Sequence, residues 1–169
     1  MIGSLRHSPT EYAQTRRIES VSLNPELVGR SFPPTSPYQV GREKIREFAR
    51  AVFATDPASF DLDAAHEAGY ADLVAPPTFP VVVQQLTLEQ LLADPDAGIA
   101  FDRVVHGEQR FISTRPLIAG DIVTATLTVT QIKTLGGNAM ITAETAIRDA
   151  AGDHVVTAIS TLVVRGEDS

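Results

Sequence analysis

Apolar residues recur at helical spacing through the first half of the chain and at strand spacing through the second. Phe32 to Pro37, rich in proline, reads as an extended entry to a short strand at Tyr38 to Val40. Ile45, Phe48, Ala49 and Val52 stand at i, i+3, i+4 and i+7, which predicts an amphipathic helix over Arg42 to Phe53, ended by Asp56-Pro57. A shorter helix is expected over Leu62 to Ala68, with Asp61 as its N-cap and Gly69 at C′. A third opens with Thr78 as the capping residue and Pro80 in the first turn, where a missing N–H costs nothing. Phe79, Val82, Val83, Leu86 and Leu91, widened by Val81, make this helix apolar around most of its girth, so burial is expected.

After Pro95 the period changes to two. A strand at about Val104 to Thr114 precedes Pro116. Val123, Ala125, Leu127 and Val129 then alternate with four threonines, giving one buried face and one hydroxyl-rich face. Gly136-Gly137-Asn138 supplies a hairpin turn, and Ile141, Ala143, Thr145 and Ile147 mark the return strand. Ala151-Gly152-Asp153 turns the chain again into Val155 to Val164, apolar on both faces. Such a strand needs cover twice, by the buried helix and by a second subunit. Helices followed by an antiparallel meander define the class as α+β.

Composition narrows the function. The chain has 169 residues, enough for one domain: residues 1–21, without periodicity, read as a flexible leader and residues 22–169 as the domain. Neither a secretory h-region nor a membrane-length apolar run occurs, so the cytoplasm is the expected compartment. There is no cysteine, hence no disulfide framework and no thiolate chemistry. A net charge of −7 argues against nucleic acid as partner. Arg42, Arg46 and Arg50, near Lys44 and Arg30, form a solvated helix face or, alternatively, a landing strip for coenzyme A phosphates or an acidic carrier protein. His7, His66, His106 and His154 lack metal-ligand spacing, so no metal is expected; His7, His66 and His154 read as solvated. His106 is set apart by Gly107, where backbone could approach a ligand or partner. Asp56 reads as a capping residue in an Asp-Pro turn.

Three stretches carry a family resemblance. Arg115-Pro116-Leu117-Ile118-Ala119-Gly120-Asp121 resembles the P-x-x-x-G-D turn of MaoC-like hydratases, and Ala64 to Ala75, AAHEAGYADLVA, resembles the segment leading into their central helix. Val40 to Val52, VGREKIREFARAV, is similar to the N-terminal helix of the actinobacterial MaoC-like family of FAS1-like dehydratase domains. That family includes the substrate-binding subunits of mycolic-acid-pathway (3R)-hydroxyacyl-carrier dehydratases. The resemblance spans about Leu23 to Val164. It implies a hotdog fold, an antiparallel sheet wrapped around a long central helix, and a thioester substrate that brings its own phosphopantetheine arm, with no other cofactor.

Active MaoC-like hydratases carry D-x-N-P-L/I-H before the short helix and a glycine N–H at the start of the central helix that binds the thioester oxyanion. Placed by Pro57 and Gly69, those positions fall here on Ala54, Ser59 and Pro77, none of which supplies the chemistry. The resemblance therefore implies a subunit without catalytic residues, paired with a MaoC-like hotdog chain that bears the Asp and His. Tyr70, Pro77, Phe79, Val82, Val83, Leu86 and His106 are the residues expected to meet the acyl chain of an acyl-CoA or acyl-carrier-protein thioester. Two alternatives stand beside this reading. One is a non-enzymatic acyl-thioester-binding homodimer; the other is an enzyme acting alone through Asp56, His106 or Glu108.

Overall fold

A computed structural model of the chain describes residues 23–166. The expected leader and His7 lie outside them. Helix α1 (Arg42–Ala51), helix α2 (Leu62–Glu67) and helix α3 (Pro80–Ala93) precede four long strands, with a short strand β1 (Tyr38–Gln39) ahead of them. The long strands are β2 (Val104–Ser113), β3 (Ile122–Leu135), β4 (Asn138–Asp149) and β5 (His154–Val164). All pair antiparallel in one sheet of order β1-β3-β4-β5-β2. The sheet packs against α3 in the hotdog arrangement.

The period-two reading of the strands holds in detail. Val123, Ala125, Leu127 and Val129 on β3 and Ile141, Ala143, Thr145 and Ile147 on β4 are all buried. Gly136 and Gly137, at φ 58° and 82°, make a two-residue loop between the paired residues Leu135 and Asn138. Two positive φ values in succession are what a primed hairpin turn requires.

The helices depart from expectation in three places. First, α1 ends at Ala51, two residues early: Val52 is its C-cap and 42% exposed, and Phe53 at φ 55° turns the chain away. Second, Thr78 does not cap α3. Phe79 holds the N-cap position without a side-chain bond, and its N–H is bound by the Pro76 carbonyl at 2.8 Å. Third, α3 is buried along one stripe only, made of Pro80, Val83, Gln84, Thr87, Leu88 and Leu91. Two polar side chains point inward, while Val82 is only half-buried and Leu86 is 36% exposed, because the sheet curls over one side of the helix. The inward groups are satisfied: the Thr87 and Thr145 hydroxyls lie 3.0 Å apart and Gln84 reaches Ser160.

The two edges of the sheet differ. Residues 29–40 run along the outer side of β3, where Gly29, Phe32 and Thr35 donate their N–H groups to Val129, Leu127 and Ala125 and β1 completes the cover. The opposite edge, β2, has no neighbour beyond β5 among the described residues, and Val105 and Ile112 on it are exposed.

The arginine strip is largely consumed by the protein's own acids. Arg42 makes a two-pronged pair with Asp72, Nε to Oδ1 at 2.9 Å and Nη2 to Oδ2 at 2.8 Å. Arg46 binds the Phe60 carbonyl and Glu43, and Lys44 binds Glu47. This favours the solvated helix face over the phosphate landing strip. The hydrogen bond from Arg42 holds the Asp72 carboxyl below the usual carboxylate range. A lowered folded-state pKa contributes stability that is full above about pH 4 and disappears as pH falls through the lowered value. Thermal melts of Asp72→Asn are therefore expected to trail those of the parent at neutral pH and to converge with them in acid. A constant gap across that range would mean the pair is not the cause.

Candidate functional site

Two hydrogen-bonded clips build the site. After α1 the chain runs through Ala54 and Thr55 to Asp56, whose Oδ1 accepts the Ala58 N–H at 3.0 Å and opens a 3-10 turn at Pro57–Ser59. This is the capping role expected of an Asp-Pro turn. Ser59 is buried, and its Oγ donates to the Val74 carbonyl at 2.7 Å while the Val74 N–H donates to Ala58 at 2.9 Å. The second clip joins the same segment to the turn before β3: Ala75 donates to Leu117, and Ala119 donates to Leu73.

That turn is fixed by its acid. Asp121 accepts from Arg115 at 2.7 and 3.1 Å and from the Ile118 N–H at 2.9 Å, with Gly120 at φ 94° completing the corner. Arg115 also reaches Asp149 at 3.3 Å, so it ties the turn to the end of β4. The Gly-Asp of the motif is thus an architectural device here, bonded inward.

Between the clips lies a half-open cavity of about 570 Å3. Ala54, Thr55, Asp56, Ser59 and Tyr70 form one wall, residues 74–77 and Pro80 a second, and Ser113, Pro116, Leu117 and Val156 the third. Ala54, Ser59 and Pro77, drawn from two separate stretches of sequence, meet in it. Among the described residues lining it, Asp56 is the sole carboxylate and there is no histidine. One Asp56 oxygen, Oδ1, and the Ser59 hydroxyl are committed to backbone partners. Such a cavity can hold an apolar group but lacks a pair of side chains able to pass a proton to and from it.

Of the residues expected to meet an acyl chain, Tyr70 and Pro77 line the cavity. Phe79 and Val83 lie behind its wall, fully buried in the core, with Phe79 edge-on to Phe48 at 5.3 Å. Val82 packs half-buried against the core cluster and Leu86 is on the uncovered side of α3; both are absent from the cavity. His106 is remote from it: it sits opposite Leu162, at the other end of β2 from Ser113. Glu108 is exposed beyond the bulge that follows His106. Gly107 has a local explanation. A Cβ there would come within 3.1 Å of Val163 Cγ2 and 3.4 Å of the Thr161 carbonyl, so the glycine lets β2 close onto β5. His66 is exposed as expected. His154 is not simply solvated: it is half-buried, with Nδ1 2.6 Å from Thr114 Oγ1 and Nε2 2.8 Å from Thr157 Oγ1. Pro80, Ser113 and Val156 were not anticipated as walls; Ser113 and Val156 are brought there by strand register, which emerges on folding.

The family described as FAS1-like, dehydratase domain region, matches residues 26–158. The chain belongs to this family. A UPF0336 protein of Leifsonia xyli subsp. xyli is 68% identical over 148 residues, covering 88% of this chain and 99% of the relative. Among solved structures, the HadBC (3R)-hydroxyacyl-ACP dehydratase complex of Mycobacterium tuberculosis has a chain 31% identical, with a TM-score of 0.74, covering 81% of this chain and 96% of that one. A MaoC-like dehydratase is 33% identical with a TM-score of 0.75, but this chain spans only 43% of its length. The FAS1-like dehydratase fold thus accounts for the sheet, for α3 and for the motif turn at 115–121. No helix among the described residues is long and apolar enough to cross a membrane.

Proposed function

We propose that this chain is the acyl-binding, non-catalytic half of a (3R)-hydroxyacyl-thioester dehydratase, or enoyl-thioester hydratase, whose Asp and His come from a partner hotdog subunit. The observation that carries the reading is the meeting of Ala54, Ser59 and Pro77 in one cavity with no acid–base pair. All three line the cavity together with their neighbours Thr55, Asp56 and Pro76, which supports the reading. The walls beyond them are largely apolar and suit an acyl chain. The open β2 edge supplies a place for the partner, with unpaired backbone groups flanked by Val105 and Ile112. HadBC is itself a complex, and the longer MaoC-like dehydratase chain has room for a second domain of similar size beside the part that matches.

The same edge could pair with a second copy, which keeps the acyl-binding homodimer as the second reading. An enzyme acting alone finds less support, since His106 and Glu108 lie away from the cavity that Asp56 lines.

Co-expression with a MaoC-like subunit that carries the Asp and His tests the proposal. The expected product is a stable complex, read by size-exclusion chromatography with light scattering. Ile112→Lys, which places a charge on the open edge, is expected to leave the fold intact by circular dichroism and to weaken assembly at least tenfold. A chain that stays at its monomer mass of 18.1 kDa with every such subunit, and that binds no acyl thioester, would refute it.

A further inference from the structure

Beyond the cavity the next two rungs of the sheet on the same face are both filled. The cavity ends at the pair Ser113 on β2 and Val156 on β5, under Pro80 of α3. Two residues further along each strand, on the same face, stand Phe111 and Ala158, and Phe111 packs into the core cluster that contains Val83 and Val156. Two residues further still are Gln109 and Ser160, and Gln84 of α3 comes down upon them. These three side chains close a ring of hydrogen bonds. Gln84 Nε2 donates to Ser160 Oγ at 2.8 Å, Ser160 Oγ donates to Gln109 Oε1 at 2.6 Å, and Gln109 Nε2 donates to Gln84 Oε1 at 2.8 Å. Gln84 and Ser160 are fully buried, and the second Gln84 N–H points at the Ala158 carbonyl at 3.4 Å.

A helix packed on a sheet normally fills this space with apolar side chains, which an incoming apolar tail can displace or slide past. A closed ring of amides and a hydroxyl resists such entry. Opening it would strand several buried polar groups against hydrocarbon, which is costly. Phe111 stands in front of it as an apolar stop. Both lie on the line that a tail would follow from the cavity, between α3 and the sheet.

We propose that Phe111 and the Gln84–Gln109–Ser160 ring form the closed end of the acyl site and restrict this chain to short and medium acyl groups. The inference rests on the acyl-binding reading above and goes beyond it by naming the groups that set chain length. Gln84 is the specificity-determining residue, because it is the one member of the ring that reaches in from the helix.

The test is a binding series on the full chain with butenoyl, octenoyl, dodecenoyl and hexadecenoyl coenzyme A, followed by titration calorimetry. In the parent, affinity is expected to climb by about fourfold per methylene while the tail finds room, and then to fall, with hexadecenoyl at least tenfold weaker than octenoyl. Gln84→Ala should move the maximum to a longer chain, and Gln84→Leu, which keeps the space filled, should leave it in place. Phe111→Ala, at a half-buried position, gives a second opening of the same end should Gln84→Ala fail to fold. Affinity that rises steadily to hexadecenoyl in the parent overturns the proposal. So does a maximum that stays put in folded Gln84→Ala and Phe111→Ala. Failure of every thioester to bind, in parent and variants alike, overturns the acyl-binding reading itself and is distinct from both.

Discussion

The purified chain is expected to hydrate enoyl thioesters at a negligible rate, and its complex with an Asp/His-bearing hotdog subunit to exceed it by at least about a thousandfold. A positioned acid or base contributes about 10²–10⁴-fold to proton transfer, and the cavity holds one carboxylate, Asp56, with no histidine beside it. A missing oxyanion donor removes about 3 kcal/mol more, and Pro77, on which the resemblance puts that donor, has no N–H to give. Ser59 cannot stand in, because its Oγ is tied to the Val74 carbonyl inside the protein. The assay is loss of the conjugated thioester absorbance, with chain, partner and complex measured side by side. A turnover number for the chain alone near the typical ~10 s⁻¹ would show that other residues do the chemistry.

Phe79→Ala is expected to lower stability by about 3–5 kcal/mol. The side chain is fully buried, sits edge-on to Phe48 at 5.3 Å with the rings at 77°, and belongs to the core cluster shared by α1, α3 and the sheet. Truncation leaves a void that cannot collapse easily, because Phe79 is the N-cap of α3 and is held between Pro76 and Pro80. Urea denaturation measures the loss. A change below about 1 kcal/mol would mean that the helix start moves inward to fill the gap. The same truncation at Leu86, on the uncovered side of α3, should cost far less in the isolated chain.

The comparison of Phe79 with Leu86 also marks what the sequence could and could not reveal. Strands were legible because alternation depends only on neighbours: Val123 to Val129 and Ile141 to Ile147 face the core as their spacing predicts. The girth of α3 was not, because its inward stripe contains Gln84 and Thr87 while Leu86 looks outward. Composition cannot orient such a helix; only the partners Ser160 and Thr145, more than fifty residues away, do so. The site was half legible. Local motifs placed Ala54, Ser59 and Pro77 together, but the far wall at Ser113 and Val156 is created by β2–β5 register, and His106, prominent in its own stretch, lies at the wrong end of that strand.

The unequal edges of the sheet carry a consequence for solubility. A sheet open on both sides can recruit neighbours without limit, which is the geometry of a growing fibril. Here residues 29–40 already cover β3 from Ile122 to Val129, so among the described residues β2 is the longer open side. Two chains that meet through β2 close that side on both, which favours a finite pair over continued growth.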